Sequence, residues 1–520
     1  MTDLIAALQA IVGEPYVLTD PAERAFHSMD AFWTGETAAA VARPGTVAEL
    51  SEIVRVATGA GYTVIPRGGG LSYTRGYVPV ERKTVMIDMR RINRVTEIDA
   101  EDMTVTVEAG CTWNELRNAL RPHGLRTPYF GPMSGLVATI GGTLSNNSMF
   151  YGSGVYGTVA DSVLGLTVVL ADGRVLATGS GATHGHDPFH RHYGPDLTGL
   201  FLSDCGALAI KAAAALKVIR EPAVTAFASF AFDDFEPMFE AQSEIARQRL
   251  AAECFGLDPF LNSHMTDPGS TGEALRVLGR VARAGRSLAA GARDAARIVF
   301  AGRRFMEGVA WSLHVTVEGR SQAAVAADMS TVRRIAGRAG RRIAATLPAV
   351  IRATPFQPVG PFLVGRNGER WVPIHACLPL SKVPRAYALM REVFVRHADR
   401  LEQFHIATSL LTAVAGTEFI FEPAFYYPDA LTPYHLRYLD PADAARYAAH
   451  PRVEGANDAV IALLNELKSA FLELGAVHQQ IGKFYPYRDS LDPTPRAVVA
   501  DLKHLLDPRG LMNPGALGLR

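Results

Sequence analysis

The sequence lacks an excess of charge of either sign, and it lacks paired cysteines. Its 520 residues include 52 Lys and Arg against 52 Asp and Glu, so the formal net charge at pH 7 is zero. This balance argues against a protein that binds nucleic acid through a basic electrostatic field. The cysteines are far apart and form no C-x-x-C motif, which argues against a zinc site or a disulfide framework; they are Cys111, Cys205, Cys254 and Cys377.

Long hydrophobic runs are also missing. No stretch approaches the roughly 20 apolar residues that a helix needs to span a bilayer. The stretch MTDLIAALQAIVG carries Asp3 and no Lys or Arg ahead of its apolar residues, which is the wrong polarity for a secretory signal peptide. We therefore expect a cytoplasmic protein, and its length predicts two or three domains.

Glycine, in contrast, is concentrated in three stretches between residues 66 and 161. The first, VIPRGGGLSYT, does not match the G-x-G-x-x-G fingerprint, and no Gly-Lys-Ser/Thr follows it. Consecutive glycines expose backbone N–H groups and permit positive φ, which suits a loop around a phosphate. Three such loops indicate one long ligand threaded between them. A glycine-rich β structure without a ligand is the alternative.

The pattern of residues 41–218 predicts a mixture of short strands and short helices. Thr112 and Glu115 form a capping box that predicts a helix through Leu120. The Asp172-Gly173 pair predicts a β-hairpin. Longer helical segments follow Pro222 and indicate a second domain.

Taken in order, these stretches resemble the flavin domain of the FAD-linked oxidases known as the vanillyl-alcohol oxidase/p-cresol methylhydroxylase (PCMH) superfamily. The resemblance depends on several stretches as a set: residues 66–72, residues 139–142 with Asn146, residues 156–165, residues 194–201 leading to Ile210, and residues 506–515.

The resemblance implies an α+β fold, with a PCMH-type FAD-binding domain of two subdomains and an α+β cap domain that contains an antiparallel sheet. The implied boundaries are residues 1–222 for the FAD-binding domain, 223–480 for the cap or substrate domain, and 481–520 for a C-terminal segment that returns to the FAD domain. Leu71 stands where members with a covalent flavin link in this loop have His, so we expect non-covalent FAD. A link through His405 or Tyr426 of the cap stays open.

The residues that the resemblance implies for cofactor binding lie in the glycine-rich stretches and at the C-terminus. They are Pro66, Arg67, Gly68, Gly69, Gly70, Leu71, Ser72, Ser134, Thr139, Gly141, Gly142, Asn146, Tyr156, Gly157, Asp161, Ile210 and Asn513.

The implied activity is transfer of a hydride from a CH–OH group of an alcohol or 2-hydroxy acid to the flavin, with oxygen, a quinone or a protein as electron acceptor. The sequence departs from both known subclasses. Thr158 stands where phenol-oxidising members have Asp, residues 478–482 read His-Gln-Gln-Ile-Gly instead of Glu-His-Gly-Ile-Gly, and residues 370–379 lack the metal-binding run of the hydroxy-acid dehydrogenases. We therefore expect no metal. Benzylic oxidation of a para-substituted phenol and a non-catalytic flavoprotein stay as alternatives.

Candidate catalytic residues follow from residue type and position. His478 is a candidate base near neutral pH, and Glu422 is a second one. Lys483 is a candidate for binding a carboxylate or steadying an anionic reduced flavin. Tyr485 and Tyr487 offer hydroxyls to a substrate.

Residues 271–306 are rich in Ala, Leu and Val and carry eight arginines. This pattern predicts a basic amphipathic helix, which either makes peripheral contact with an anionic membrane or exposes its arginines to solvent. The partners expected are a small-molecule substrate, an electron acceptor and, as an open alternative, a second copy of the chain in a homodimer.

A first prediction concerns the cofactor. We expect the purified protein to be yellow and acid precipitation to release FAD into the supernatant, because Leu71 cannot form the covalent bond that His forms. Absorbance and mass of the released compound measure this outcome. Flavin that stays with the precipitated protein would contradict it.

Overall fold

The computed structural model describes residues 2–265 and 308–520. In these ranges the α-helices, numbered in chain order, are α1 (Thr2–Val12), α2 (Pro21–His27), α3 (Val47–Gly59), α4 (Trp113–Leu120), α5 (Ile140–Asn146), α6 (Ser153–Tyr156), α7 (Leu197–Leu200), α8 (Phe235–Arg247), α9 (Pro259–Met265), α10 (Gln322–Ala336), α11 (Thr346–Ala353), α12 (Gly360–Leu363), α13 (Val383–Arg396), α14 (Ala398–Gln403), α15 (Pro433–Tyr438), α16 (Pro441–Tyr447), α17 (Ala456–Glu473), α18 (Tyr487–Ser490) and α19 (Pro493–Leu506).

The N-terminal sheet combines parallel strands with one antiparallel edge. Its strands are β1 (Val17–Leu18), β2 (Ala40–Ala42), β3 (Thr63–Arg67) and β4 (Thr84–Asp88), in the order β1-β2-β4-β3. Strands β2, β4 and β3 are parallel, and every residue of β4 is buried, as expected for a strand covered on both faces. Leu8 of α1 and Ile53 of α3 belong to the core on this sheet.

A second sheet of the FAD-binding region is antiparallel. The next strands are β5 (Val95–Asp99), β6 (Thr104–Glu108), β7 (Leu125–Arg126), β8 (Val163–Val169), β9 (Val175–Ala177), β10 (Ile210–Lys217) and β11 (Ile219–Arg220). The five-stranded sheet has the order β5-β6-β10-β8-β9, and β7 pairs with β11. The predicted capping box at Thr112 and the predicted hairpin, formed by β8 and β9, are both confirmed.

The cap is built on one large antiparallel sheet. Its strands are β12 (Val224–Phe232), β13 (Glu253–Leu257), β14 (Trp311–Gly319), β15 (Arg341–Ile343), β16 (Arg370–Pro373), β17 (Ala376–Pro379), β18 (Ala407–Ala415) and β19 (Glu418–Tyr427). Their order is β15-β12-β14-β13-β18-β19-β16, and β17 also pairs with β19. The α+β fold class with an antiparallel cap sheet is confirmed, while the numerical domain boundaries stay predictions.

The C-terminal segment returns to the first sheet. Met512 bridges to Val64 of β3 in parallel register, and the N–H of Asn513 donates to Val64 O at 2.9 Å. Further upstream, the N–H of Lys483 donates to Thr74 O at 2.9 Å. The segment thereby lies beside the first glycine-rich loop.

The structure bears on the membrane question only in part. Within residues 2–265 and 308–520, no helix is long and apolar enough to cross a bilayer. The arginine-rich segment 271–306, for which membrane contact was one prediction, lies outside the described residues.

A buried ion network joins the FAD-binding region to the cap. Arg126 of β7 and Arg352 of α11 both bind the carboxylate of Glu318, and Arg352 also binds Glu253 Oε1 at 2.6 Å. The ring centroid of Phe130 lies 4.6 Å from the guanidinium carbon of each arginine. Each charge in this network therefore has a partner of opposite sign.

A second prediction tests this network. Glu318→Gln leaves two buried arginines without their shared carboxylate, and losing one member of a buried ion pair costs about 3–5 kcal/mol. We expect the urea midpoint of unfolding to fall strongly. Glu52→Gln, which removes the exposed partner of Arg55, is the control and leaves the midpoint unchanged. Equal midpoints for both variants would contradict the interpretation.

Candidate active site

A cavity of about 1450 Å³ lies where the two FAD-region sheets and the cap sheet meet. The first glycine-rich loop, residues 68–72, forms one wall together with Tyr73. The face of the cap sheet that carries Glu422 forms another wall. The cavity is therefore shared between the two parts of the chain.

The carbonyl groups of the first loop are held by tyrosine hydroxyls. The carbonyl of Gly70 accepts hydrogen bonds from the hydroxyls of Tyr77 and Tyr434, at 2.6 and 2.7 Å, and the carbonyl of Gly69 accepts one from Tyr438 at 2.8 Å. In the part of the chain that the structure describes, no protein group accepts from the N–H groups of residues 68–72. Adjacent free N–H groups of this kind form a concave site for an anion.

The loop needs glycine because it presses against the second glycine-rich stretch. A Cβ atom at Gly69 would lie 2.1 Å from the carbonyl oxygen of Val137, and one at Gly68 would lie 2.2 Å from Thr139 Oγ1. Any side chain at these positions would force the two stretches apart.

A positive charge lies beneath the loop. Arg67 is 1% exposed, and among the described residues its three guanidinium nitrogens have no hydrogen-bond partner. Its guanidinium carbon lies 4.9 Å from the ring centroid of Phe26 and 5.3 Å from that of Tyr77, and its Nη2 is close to Gly70. Free N–H groups above an unpaired cation fit a bound diphosphate, so this wall fits the diphosphate of FAD.

Most predicted cofactor residues lie on the cavity wall. They are Pro66, Gly68, Gly69, Gly70, Leu71, Ser72, Ser134, Thr139, Gly141, Gly142 and Asn146. Arg67 is one layer behind the wall, and five further residues do not line the cavity. These five are Tyr156, Gly157, Asp161, Ile210 and Asn513.

Three of those five form a local turn. Asp161 Oδ2 accepts a hydrogen bond from the N–H of Thr158 at 2.8 Å. Gly157 has a φ of +81° and lies against the Asp161 carboxylate. The ring of Tyr156 lies 5.6 Å from the guanidinium carbon of Arg126. The predicted contacts of these residues with FAD stay predictions.

The other two have packing roles. Ile210 begins β10, pairs with Val169 and is 1% exposed. Asn513 Nδ2 donates to Gly76 O at 2.8 Å and to Cys205 O at 2.7 Å. Asn513 thus ties the C-terminal segment to two segments that line the cavity.

Glu422 is the predicted catalytic residue that faces the cavity. Tyr73 Oη donates to Glu422 Oε2 at 3.5 Å, and Gln480 Nε2 donates to Tyr73 Oη at 3.2 Å. Burial raises the pKa of Glu422 to about 7, because a charged carboxylate is poorly solvated there. Burial also raises the pKa of Tyr73 well above its usual value, so its hydroxyl stays protonated.

His478 and Tyr485 lie behind the wall and hold His375, which lines the cavity. His478 Nδ1 is 2.8 Å from His375 O, and the His478 ring stacks on Tyr485 at 3.8 Å. Tyr485 Oη accepts from the N–H of His375 at 3.1 Å. Burial lowers the pKa of His478 to about 4 and that of His375 to about 3, so both rings are neutral at pH 7.

Lys483 and Tyr487 also lie off the wall. Lys483 Nζ donates to Val78 O at 2.6 Å, and burial lowers the pKa of the amine to about 7. Tyr487 begins α18 and packs against the core of the FAD-binding region. The catalytic roles assigned to both residues stay predictions.

Sequence reasoning missed Lys211, a cation that does line the cavity. Its Nζ lies 2.5 Å from Asp204 Oδ1, and the two side chains are 3% and 1% exposed. It also missed Tyr73 and Ser409. Tyr73 had a signal, since it directly follows the first loop, whereas Ser409 lies on a strand with nothing in the sequence to distinguish it.

Two residues with left-handed backbone connect the glycine-rich stretches to the C-terminal segment. Gln480 has a φ of 47° and Cys205 a φ of 50°. The N–H of Gln480 donates to Asn146 O at 3.0 Å, and the N–H of Gly482 donates to Cys205 Sγ at 3.1 Å. Such backbone strain concentrates at functional sites, which agrees with the position of these residues at the cavity.

Metal ligands are not grouped in this region. In residues 2–265 and 308–520, no cluster of three or more His, Cys, Asp or Glu side chains could hold a metal ion.

Comparison with known proteins agrees with this geometry. Residues 38–179 match the family model of an FAD binding domain. This part of the chain is therefore an FAD-binding domain. The resemblance drawn from the glycine-rich stretches is thereby confirmed, and FAD is the cofactor of the protein.

The relatives differ in what their names describe. The chain is 29% identical over 206 residues to the mitochondrial D-lactate dehydrogenase (cytochrome) 1 of Saccharomyces cerevisiae, covering 39% of the chain and 34% of the relative. It is 33% identical over 183 residues to the glycolate oxidase subunit GlcD of Bacillus subtilis, covering 35% and 37%. The matched regions thus span about a third of each relative.

In fold, the chain is similar over its whole length to p-cresol methylhydroxylase with substrate bound. The TM-score is 0.73 at 17% identity, covering 100% of this chain and 96% of the other. This likeness shows the fold of the chain.

A third prediction tests the first loop. Gly69→Ala displaces N–H groups that would bind the diphosphate, and hydrogen bonds to a charged group contribute about 1.5–3 kcal/mol each. We expect the dissociation constant of FAD, measured by fluorescence titration of the apoprotein, to rise by about ten- to a hundredfold.

The control is Gly59→Ala, because no atom lies within 4 Å of the added Cβ there. This variant keeps the affinity of the parent protein. Unchanged affinity in Gly69→Ala would contradict the assignment of the loop.

Proposed function

We propose that the protein oxidises a CH–OH group of an alcohol or hydroxy acid, with Glu422 as the base that accepts the hydroxyl proton. The bound FAD supplies the hydride-accepting ring. The observation that carries the proposal is the position of Glu422, a carboxyl with a raised pKa on the wall of the cofactor cavity. Oxygen, a quinone or a protein then takes the electrons.

The surroundings of Glu422 suit a base. Above pH 7 its carboxylate can take the proton, because the pKa of the group is about 7. The hydroxyl of Tyr73 orients one carboxylate oxygen, and Gln480 fixes that hydroxyl in turn. Burial of Glu422 strengthens these interactions, because charges interact more strongly away from bulk water.

Oxidation of a para-substituted phenol is the second candidate. It is supported by the aromatic wall beside the base, where the rings of Tyr73 and Trp371 lie 5.8 Å apart in edge-to-face geometry. An aromatic ring placed there gains further edge-to-face contacts. The likeness in fold to p-cresol methylhydroxylase is consistent with this candidate but does not decide it.

A fourth prediction tests the base. The rate constant for anaerobic reduction of FAD by substrate falls as the pH drops below about 7, because Glu422 becomes protonated and cannot accept the proton. Glu422→Gln lowers that rate constant by about 10²–10⁴-fold and removes the limb near pH 7. Stopped-flow flavin absorbance measures both effects.

Glu418→Gln, at the exposed start of the same strand, is the matched control and keeps the parent profile. An unchanged profile in Glu422→Gln would assign the base elsewhere. A yellow protein whose flavin is reduced by no alcohol, hydroxy acid or alkylphenol would support the non-catalytic alternative.

A further inference from the structure

The face of the cap sheet that borders the cavity is apolar around one carboxyl. Leu411 of β18 lies directly across from Glu422 of β19, and Leu257 of β13 lies across from Leu411. Ile420 and Ala424 are the neighbours of Glu422 along its own strand, on the same face. All five residues line the cavity.

Among the described residues, the strands that form this face contribute no Lys or Arg side chain to the cavity. Among the described residues, the Lys and Arg side chains that line the cavity are Lys211, Arg366 and Arg446. Lys211 is paired with Asp204. Arg446 belongs to α16 and packs over the ring of Tyr447. Arg366 follows α12, and its carbonyl accepts a hydrogen bond from the Tyr447 hydroxyl. None belongs to the strands that carry Glu422 and its neighbours.

Besides Tyr426, this largely apolar face also carries the polar residue Ser409. It is 3% exposed and lines the cavity, and among the described residues its Oγ has no hydrogen-bond partner. It pairs with Ala424 across the strands, so it is the diagonal neighbour of Glu422, at about 7–8 Å in regular sheet geometry. A buried hydroxyl without a partner requires an explanation, and a bound ligand provides one.

We propose that Ser409 determines substrate specificity by hydrogen bonding a neutral oxygen of an uncharged, largely apolar alcohol, next to the CH–OH group that faces Glu422. This inference rests on the proposed function. Among the described residues, no Lys or Arg of these strands lines the cavity, so a substrate carboxylate on this face would lie in an apolar environment beside another carboxylate. The site therefore disfavours 2-hydroxy acids and favours diols or hydroxy ethers.

The test uses two matched sets of compounds with the FAD-loaded full chain. Each set contains a diol, its 2-hydroxy-acid counterpart and the alcohol without the second oxygen. The aryl set is 1-phenylethane-1,2-diol, mandelate and 1-phenylethanol, and the alkyl set is octane-1,2-diol, 2-hydroxyoctanoate and 2-octanol. Stopped-flow absorbance gives the rate of anaerobic flavin reduction and the apparent KM at pH 8.

We expect a diol to reduce the flavin about 100-fold more efficiently than its hydroxy-acid counterpart. Ser409→Ala raises the apparent KM for the diol about tenfold, with little change in the limiting rate, and leaves the alcohol without a second oxygen unaffected. Ser243→Ala is the control, since Ser243 is also buried with an unpartnered Oγ but does not line the cavity; it changes neither value.

A binding measurement separates specificity from chemistry. In the Glu422→Gln background, the dissociation constant of the diol, from perturbation of the flavin spectrum, rises about tenfold when Ser409→Ala is added. Faster reduction by the hydroxy acids, or equal diol binding with and without Ser409, overturns the inference but leaves the proposed function standing. Failure of all six compounds to reduce the flavin overturns both.

Discussion

The rest of the structure depends on how the first glycine-rich loop is held. Its carbonyls bind three tyrosine hydroxyls, and two of those tyrosines, Tyr434 and Tyr438, belong to a helix that follows the cap sheet. Residues 68–72 line the cavity, their N–H groups have no acceptor among the described residues, and the buried cation of Arg67 directly precedes them in the chain. Packing of the cap therefore helps to set the conformation of this loop, because a shift of α15 would break the hydrogen bonds to the carbonyls of Gly69 and Gly70.

The chemistry of the candidate site follows from the apolar surroundings of Glu422. Glu422 has apolar neighbours across and along the sheet, so its pKa is raised and its carboxylate is a stronger base than one in water. The same burial that raises the pKa of Glu422 also makes the face unfavourable for a charged substrate. One arrangement thus tunes the base and restricts the substrate. The chain matches only about a third of the length of the relatives whose names describe D-lactate and glycolate. The match therefore does not assign their substrates to this chain.

Local sequence signals predicted the structural features that depend only on neighbouring residues. The capping box at Thr112, the hairpin between β8 and β9, and the loop glycines need only neighbouring residues, and the structure confirms the first two. The candidate site depended on long-range packing. His478 belongs to a segment that resembles a family active-site segment, yet its Nδ1 lies 2.8 Å from the carbonyl of His375, and His375 is the residue that lines the cavity. Lys211 and Ser409 occupy ordinary strand positions, and only the register of β10 and β18 brings them to the cavity.

Hydrogen–deuterium exchange at residues 66–74 tests the central claim most directly, because it reports on the loop N–H groups themselves. Apoprotein and FAD-loaded protein are compared by mass spectrometry of peptides from this stretch. The account predicts fast exchange at residues 68–72 in the apoprotein and strong protection once FAD is bound. Equal exchange in the two states, with FAD shown to be bound, would contradict it.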